Sequence, residues 1–161
     1  MRNAAMLFLG LVLVSGLSTG QLNSKEIKTM NVKRITPVLY VKEVEPCVKF
    51  WVERLGFEKT VEVPDGDRLG FAMLQKNNLE IMYQSIASAE KDIPAAAKDI
   101  SGGRTFLYVE VEKLDDIIAA LKGVDLALPL RTTFYGAKEI GVKDPAGHMI
   151  VFAEMGAPPQ K

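Results

Sequence analysis

The sequence predicts an α+β fold of two tandem βαβββ modules forming a cupped mixed β-sheet around a cavity. Three observations predict it. The order strand, helix, strand, strand, strand can be read twice along the chain. An offset of 70 residues separates Thr36 from Phe106 and also Val41 from Val111, and self-similarity at a fixed period is a fold-level signal. Each half carries one helix, enough to cover one face of its strands, so the other face is left to line a cavity.

The first strand spans 34–41 (RITPVLYV), β-branched and apolar. A helix spans 44–55, with Pro46 in its first turn, where a missing N–H costs nothing. Val44, Val48, Trp51, Val52 and Leu55 fall on one face, and Gly56 stops the helix. Strands are expected at 58–63, 68–75 and 79–83, separated by the turn sequences Pro64-Asp65-Gly66-Asp67 and Lys76-Asn77-Asn78. Residues 85–103 form a linker with a turn or two of helix interrupted by Pro94. The second module repeats the order. A strand at 105–111 (TFLYVEV) leads to a helix at 114–121 ended by Gly123. Strands follow at 126–133, 138–143 and 148–154, the last two joined by Asp144-Pro145-Ala146-Gly147. The modules are thus 34–84 and 104–154, within a domain covering 33–156.

Length and charge bound the function. The chain has 161 residues, one domain's worth, and can bury a core without disulfides or a structural metal. Twenty basic and 20 acidic residues give zero formal net charge, with no run of three basic residues. That excludes the basic footprint of a nucleic-acid binder and a polybasic membrane patch. One cysteine, Cys47, and one histidine, His148, leave too few donors for a Cys/His zinc site. Cys47 stands near a helix start, where a thiolate is favoured, but it has no histidine partner and is expected to be a small buried side chain. His148, after the 144–147 turn, is expected at the surface.

The N-terminus has the pattern of an export signal. Arg2 precedes an apolar stretch over 4–17 (AAMLFLGLVLVSGL), and the small residues Ser18 and Gly20 suit cleavage after Gly20. As a helix that stretch spans roughly 21 Å, short of a hydrocarbon core of about 30 Å. Residues 1–20 are therefore expected to be a signal peptide and 21–32 a flexible lead-in. The mature protein is expected to be exported, periplasmic or secreted, and free of the membrane; an uncleaved anchor is the other reading.

The residues Pro37-Val38-Leu39, Phe50-Trp51 with Arg54-Leu55-Gly56-Phe57, the stretch 105–114, and Tyr135-Gly136 through Asp144-Pro145-Ala146-Gly147 to Phe152-Ala153-Glu154 resemble the vicinal oxygen chelate superfamily. That group takes in glyoxalases, extradiol dioxygenases and bleomycin-resistance proteins. The resemblance spans 34–154 and is greatest to the metal-free, bleomycin-resistance-like branch. It implies that metal-using members would place their ligands at Thr36, Glu80, Phe106 and Val151. Of these only Glu80 binds a divalent cation well, and a lone carboxylate does not retain zinc or iron. No metal and no other cofactor is therefore expected. The resemblance also implies a homodimer. The near-neutral charge and single tryptophan, Trp51, argue against bleomycin itself as the ligand.

Strand alternation then sorts the faces. Thr36, Val38, Tyr40, Glu80, Met82, Phe106, Tyr108, Glu110, Met149, Val151 and Ala153 fall on the cavity side. Leu39, Val41, Leu79, Ile81, Leu107, Val109, Ile150 and Phe152 fall on the helix side. The cavity set is apolar and aromatic with a few polar groups, the make-up of a small-molecule site. Thr36, Val38, Tyr40, Glu80, Met82, Phe106, Tyr108 and Val151 are accordingly the expected ligand contacts of a metal-free binding module for a small, partly apolar molecule. Two alternatives stand beside it. One is a lyase, isomerase or dioxygenase of the same superfamily, with Glu80 as general base or residual metal ligand. The other is a non-catalytic interaction protein with a filled core. Lys138 and Glu139 are expected on a solvated strand edge, the other reading being the one the resemblance implies, that this stretch lines the mouth of the cleft; Gly102-Gly103-Arg104 is expected to be a glycine hinge.

Overall fold

The computed structural model describes residues 33–100 and 103–156. The expected signal peptide and lead-in lie outside them. From Arg34 onward the described residues form one compact unit.

Two modules of like topology make up that unit. In the first, β1 (Val38–Val41) is followed by a helix, then by β2 (Glu58–Asp65), β3 (Arg68–Lys76) and β4 (Leu79–Ser85). In the second, β5 (Phe106–Glu110) is followed by a helix, then by β6 (Leu126–Thr132), β7 (Lys138–Lys143) and β8 (Met149–Glu154). Each module is a four-stranded mixed sheet, of order β1-β4-β3-β2 and β5-β8-β7-β6. The module's first strand runs parallel to its last, and the other neighbours are antiparallel. The outer strands β2 and β6 hold Pro64 and Pro129 where their register shifts, as expected of proline confined to edge strands and bulges.

Three elements differ from the expectation. The first helix is α1 (Glu45–Lys49) continued by a π-turn over Phe50–Arg54, and Gly56 ends it with φ +66°. The wider turn brings both Phe50 and Trp51 into the core. The linker holds two full helices, α2 (Ile86–Asp92) and α3 (Pro94–Ile100). Ser85 caps α2 by accepting the N–H of Ser88 at 3.0 Å, and Pro94 opens α3, where its missing N–H is harmless, instead of interrupting a helix. β1 begins at Val38, because Pro37 has no N–H to give the ladder; its carbonyl still accepts from the Met82 N–H at 3.0 Å.

The helix-side faces of the two sheets share one core. Leu39, Val41, Trp51, Leu74, Ile81 and Tyr83 of the first module cluster with Leu114, Leu121, Ile140, Val142, Ile150 and Phe152 of the second. α4 (Leu114–Ala120) starts where the Glu154 carboxylate accepts the Leu114 N–H at 2.6 Å. It ends where Arg54 donates to the carbonyls of Ala120 and Lys122, at 3.3 and 2.8 Å. A buried chain of hydrogen bonds also joins the modules. Trp51 Nε1 donates to the Tyr83 hydroxyl at 2.8 Å, and that hydroxyl donates to Asp144 Oδ2 at 2.8 Å. Of the expected helix-side residues, Leu79 is the exception: at the start of β4 it is half exposed.

Candidate functional site

The concave faces, opposite the shared core, carry the expected contact residues. On the first module Glu80 is held rather than free. Thr36 donates to its Oε1 at 2.8 Å, and Arg34 forms an ion pair with its other oxygen. Val38 and Met82 are register partners beside it. Tyr40 lies one step further, in the wall of a separate cavity near the end of β1.

On the second module Phe106, Tyr108 and Val151 share a cleft of about 300 Å³. Val151 is its floor, while Phe106 and Tyr108 are 63% and 48% exposed. The cleft is walled by second-module residues, Leu128, Arg131, Tyr135 and Glu139 among them. The structure therefore brings together three of the eight expected contacts there. It groups Thr36, Val38, Glu80 and Met82 on the other sheet, and sets Tyr40 apart.

Glu139, with Arg131 and Tyr135 beside it, stands in the cleft but not among the contacts expected from the sequence. It sits in β7 opposite Arg131 of β6 and is 1% exposed, not solvated. Arg131 grips Oε2 through Nε and Nη2 at 3.0 and 2.8 Å. The hydroxyls of Tyr135 and Tyr108 donate to Oε1 at 2.8 and 3.0 Å. Burial pushes the carboxyl pKa up, but the bonds from Tyr135, Arg131 and Tyr108 outweigh it, and the net shift is downward. The Tyr108 phenol is pushed well above its ordinary range, first by Tyr135 and by burial, then by Glu139. Glu139 is thus a fixed anion that orients two tyrosines. β7 itself carried the signal: Ile140 and Val142 face the core, so Glu139 and Gly141 face the cleft beside Val151.

His148 is also corrected. It is 3% exposed, because Asp144 folds the turn inward. Asp144 Oδ1 accepts the N–H groups of Ala146 and His148 at 3.0 and 2.8 Å, while Oδ2 takes the Tyr83 hydroxyl. Cys47 is buried as expected. Burial, then the Asp144 charge, push its thiol up to about 12, which leaves it without thiolate reactivity.

The donor set does not fit a metal. Phe106 and Val151 offer no ligand atom, and Glu80 is committed to Arg34 and Thr36. Among the described residues, no three of His, Cys, Asp and Glu gather where they could share an ion.

Comparison with known proteins agrees with the fold. The family model for the Glyoxalase/Bleomycin resistance protein/Dioxygenase superfamily matches residues 32–152. A glyoxalase/bleomycin resistance protein/dioxygenase from Nocardioides superposes with TM-score 0.60 at 20% identity, covering 83% of this chain and 92% of that one. TioX from Micromonospora sp. ML1 gives 0.62 at 19%, covering 78% and 100%. Lactoylglutathione lyase from Agrobacterium tumefaciens gives 0.63 at 12%, covering 77% and 95%. At such identities the likeness shows the fold alone. No curated protein matches the sequence.

Proposed function

The chain belongs to the glyoxalase/bleomycin resistance protein/dioxygenase superfamily, and we propose that it is an exported member that binds a small, partly apolar molecule without a metal. The carrying observation is the second-module cleft: aromatic side chains around Glu139, with the Tyr108 and Tyr135 hydroxyls fixed by that carboxylate. Hydroxyls that spend their protons on Glu139 are left as acceptors. The ligand this favours has a flat apolar body and at least one N–H or O–H to donate.

Binding is favoured over the other two readings by particular residues. A general base must be free to take a proton, and Glu80 is held by Arg34 and Thr36. A filled interior would have buried Phe106, which is 63% exposed. The open concave faces support the homodimer reading too. Val38, Val61 and Val63 of the first module and Phe106 and Tyr108 of the second present apolar surface. A second copy that set a first-module face against a second-module face would cover both and close the cleft.

Native mass spectrometry of the protein purified from its export compartment tests this in one measurement. The expected species is a dimer whose subunits lack residues 1–20, carrying a small organic adduct that Phe106→Ala releases. Stoichiometric metal that disappears in Glu80→Ala would overturn the reading.

A further inference from the structure

The chain's one histidine is clamped from two sides and left unpaired on the third. Its backbone N–H donates to Asp144, and its Nδ1 accepts the Thr105 N–H at 3.0 Å. A nitrogen that accepts carries no proton, so the neutral ring bears its hydrogen on Nε2. That Nε2–H is buried and meets no partner among the described residues. A buried donor without an acceptor bears the full loss of its hydration, and such groups in folded proteins call for an explanation.

His148 lines a cavity of about 510 Å³ that shares no wall residue with the concave cleft. Two basic side chains, Lys42 and Arg104, line it as well, and neither forms an ion pair among the described residues. Its one wall carboxylate, Glu43, is taken by Arg68 at 3.0 Å. Arg104 lies over the turn that carries His148, since a Cβ on Gly147 would stand 3.9 Å from Arg104 Nε. Tyr40, Val41, Pro46 and Ile86 supply the apolar part of the wall. The free polar groups are therefore mainly donors, and two of them are charged.

We propose that this cavity is a second binding site, for a small molecule with one anionic group, carboxylate or phosphate, on an apolar body. The charge lies between Arg104 and Lys42 and the body rests against Tyr40 and Pro46; an anionic oxygen takes the His148 Nε2–H as the 144–147 turn gives way, because that nitrogen has almost no accessible surface in the free protein. The site stands independently of the concave-face reading.

A single histidine makes the test direct. The full chain labelled with ¹⁵N-histidine gives one imidazole signal set, titrated with benzoate, phenyl phosphate and the neutral benzyl alcohol in phosphate-free buffer. The Nε2 resonance is expected to shift and saturate with benzoate, with phenyl phosphate or with both, and benzyl alcohol is expected not to compete. Arg104→Gln and Lys42→Gln are each expected to weaken binding by about tenfold, the loss of one charge-assisted contact. The unliganded Nε2 shift reports whether each variant keeps its fold. No saturable shift at millimolar anion, equal affinity for benzyl alcohol, or unchanged affinity in both folded variants would overturn the site.

Discussion

Tyr83→Phe is the sharpest test of how the two modules are held together. Tyr83 is fully buried, and its hydroxyl is the middle of the Trp51–Tyr83–Asp144 chain, with both bonds at 2.8 Å. Removing the oxygen changes the volume little, so almost no cavity term enters. What is lost is a hydrogen bond to a carboxylate, worth about 1.5–3 kcal/mol, and the acceptor of a buried indole N–H, whose orphaning costs about 1–3 kcal/mol. The two terms overlap, because the phenol hydroxyl no longer has to be desolvated. A net loss of about 3 kcal/mol is expected. For a domain of this size that lowers the melting temperature by roughly 6–12 °C. Trp51 is the chain's only tryptophan, so urea unfolding followed by its fluorescence reads the site itself. A loss below about 1 kcal/mol with an unchanged denaturant slope would refute the view that this chain couples the modules.

Three further outcomes follow from buried groups and close approaches. Cys47 has a thiol pKa raised from 9.0 to about 12 in the folded state. Its contribution is therefore complete below about pH 9 and is lost between there and about pH 12, by about 1.4 kcal/mol per pH unit; Cys47→Ala should flatten that alkaline limb in pH-dependent urea melts. Glu139 has a lowered pKa, so its contribution is present above about pH 4.3 and falls as pH drops through the folded value. Glu139→Gln should flatten the acid limb and cost about 1–2 kcal/mol at pH 7, discounted because Arg131 reaches solvent; calorimetry across pH 3–7 checks it. Gly141→Ala would set a Cβ 2.8 Å from Leu128 Cβ and 3.4 Å from Val151 Cγ2. Overpacking of that kind costs about 1–3 kcal/mol and should weaken ligand binding in the cleft as β6 is pushed away; thermal melts and titration report the two effects separately.

The strand order was legible because each element carried its own punctuation. Gly56 and Gly123 closed the helices, and Pro64-Asp65-Gly66-Asp67 and Lys76-Asn77-Asn78 turned the strands. What local pattern does not carry is the partner of a face. Leu114, Ile117, Ile118 and Leu121 mark an apolar stripe along α4 and its C-terminal cap, but nothing in that stripe says that Ile118 stays exposed while the others share a core with Trp51 and Tyr83. The same limit hid His148. A polar residue after a turn belongs at the surface unless something draws the turn in, and here Tyr83 does so from 61 residues away in sequence. Glu139 was hidden only in part, since the alternation of β7 sets it on the face opposite Ile140 and Val142. Lys138-Glu139 looks like a solvated pair, and only the β6–β7 hairpin register brings Arg131 opposite the carboxylate.

Arg34 and Arg131 give the two concave faces a common electrostatic design, although the repeat does not relate them. Each face holds one well-shielded carboxylate, Glu80 with 7% and Glu139 with 1% of the side chain exposed, and each carboxylate is paired with an arginine whose own side chain is 58% or 56% exposed. Breaking a shielded pair by removing one partner is costly, because it strands the other charge. A divalent cation arriving at either carboxylate would have to displace a guanidinium that already satisfies it, and would then face that guanidinium as a like charge. On both faces the positive partner of the shielded carboxylate is an arginine side chain. Under the metal-free reading proposed above, selectivity then rests on what the arginines leave unsatisfied: the aromatic faces of Phe106 and Tyr135, and tyrosine oxygens that can only accept.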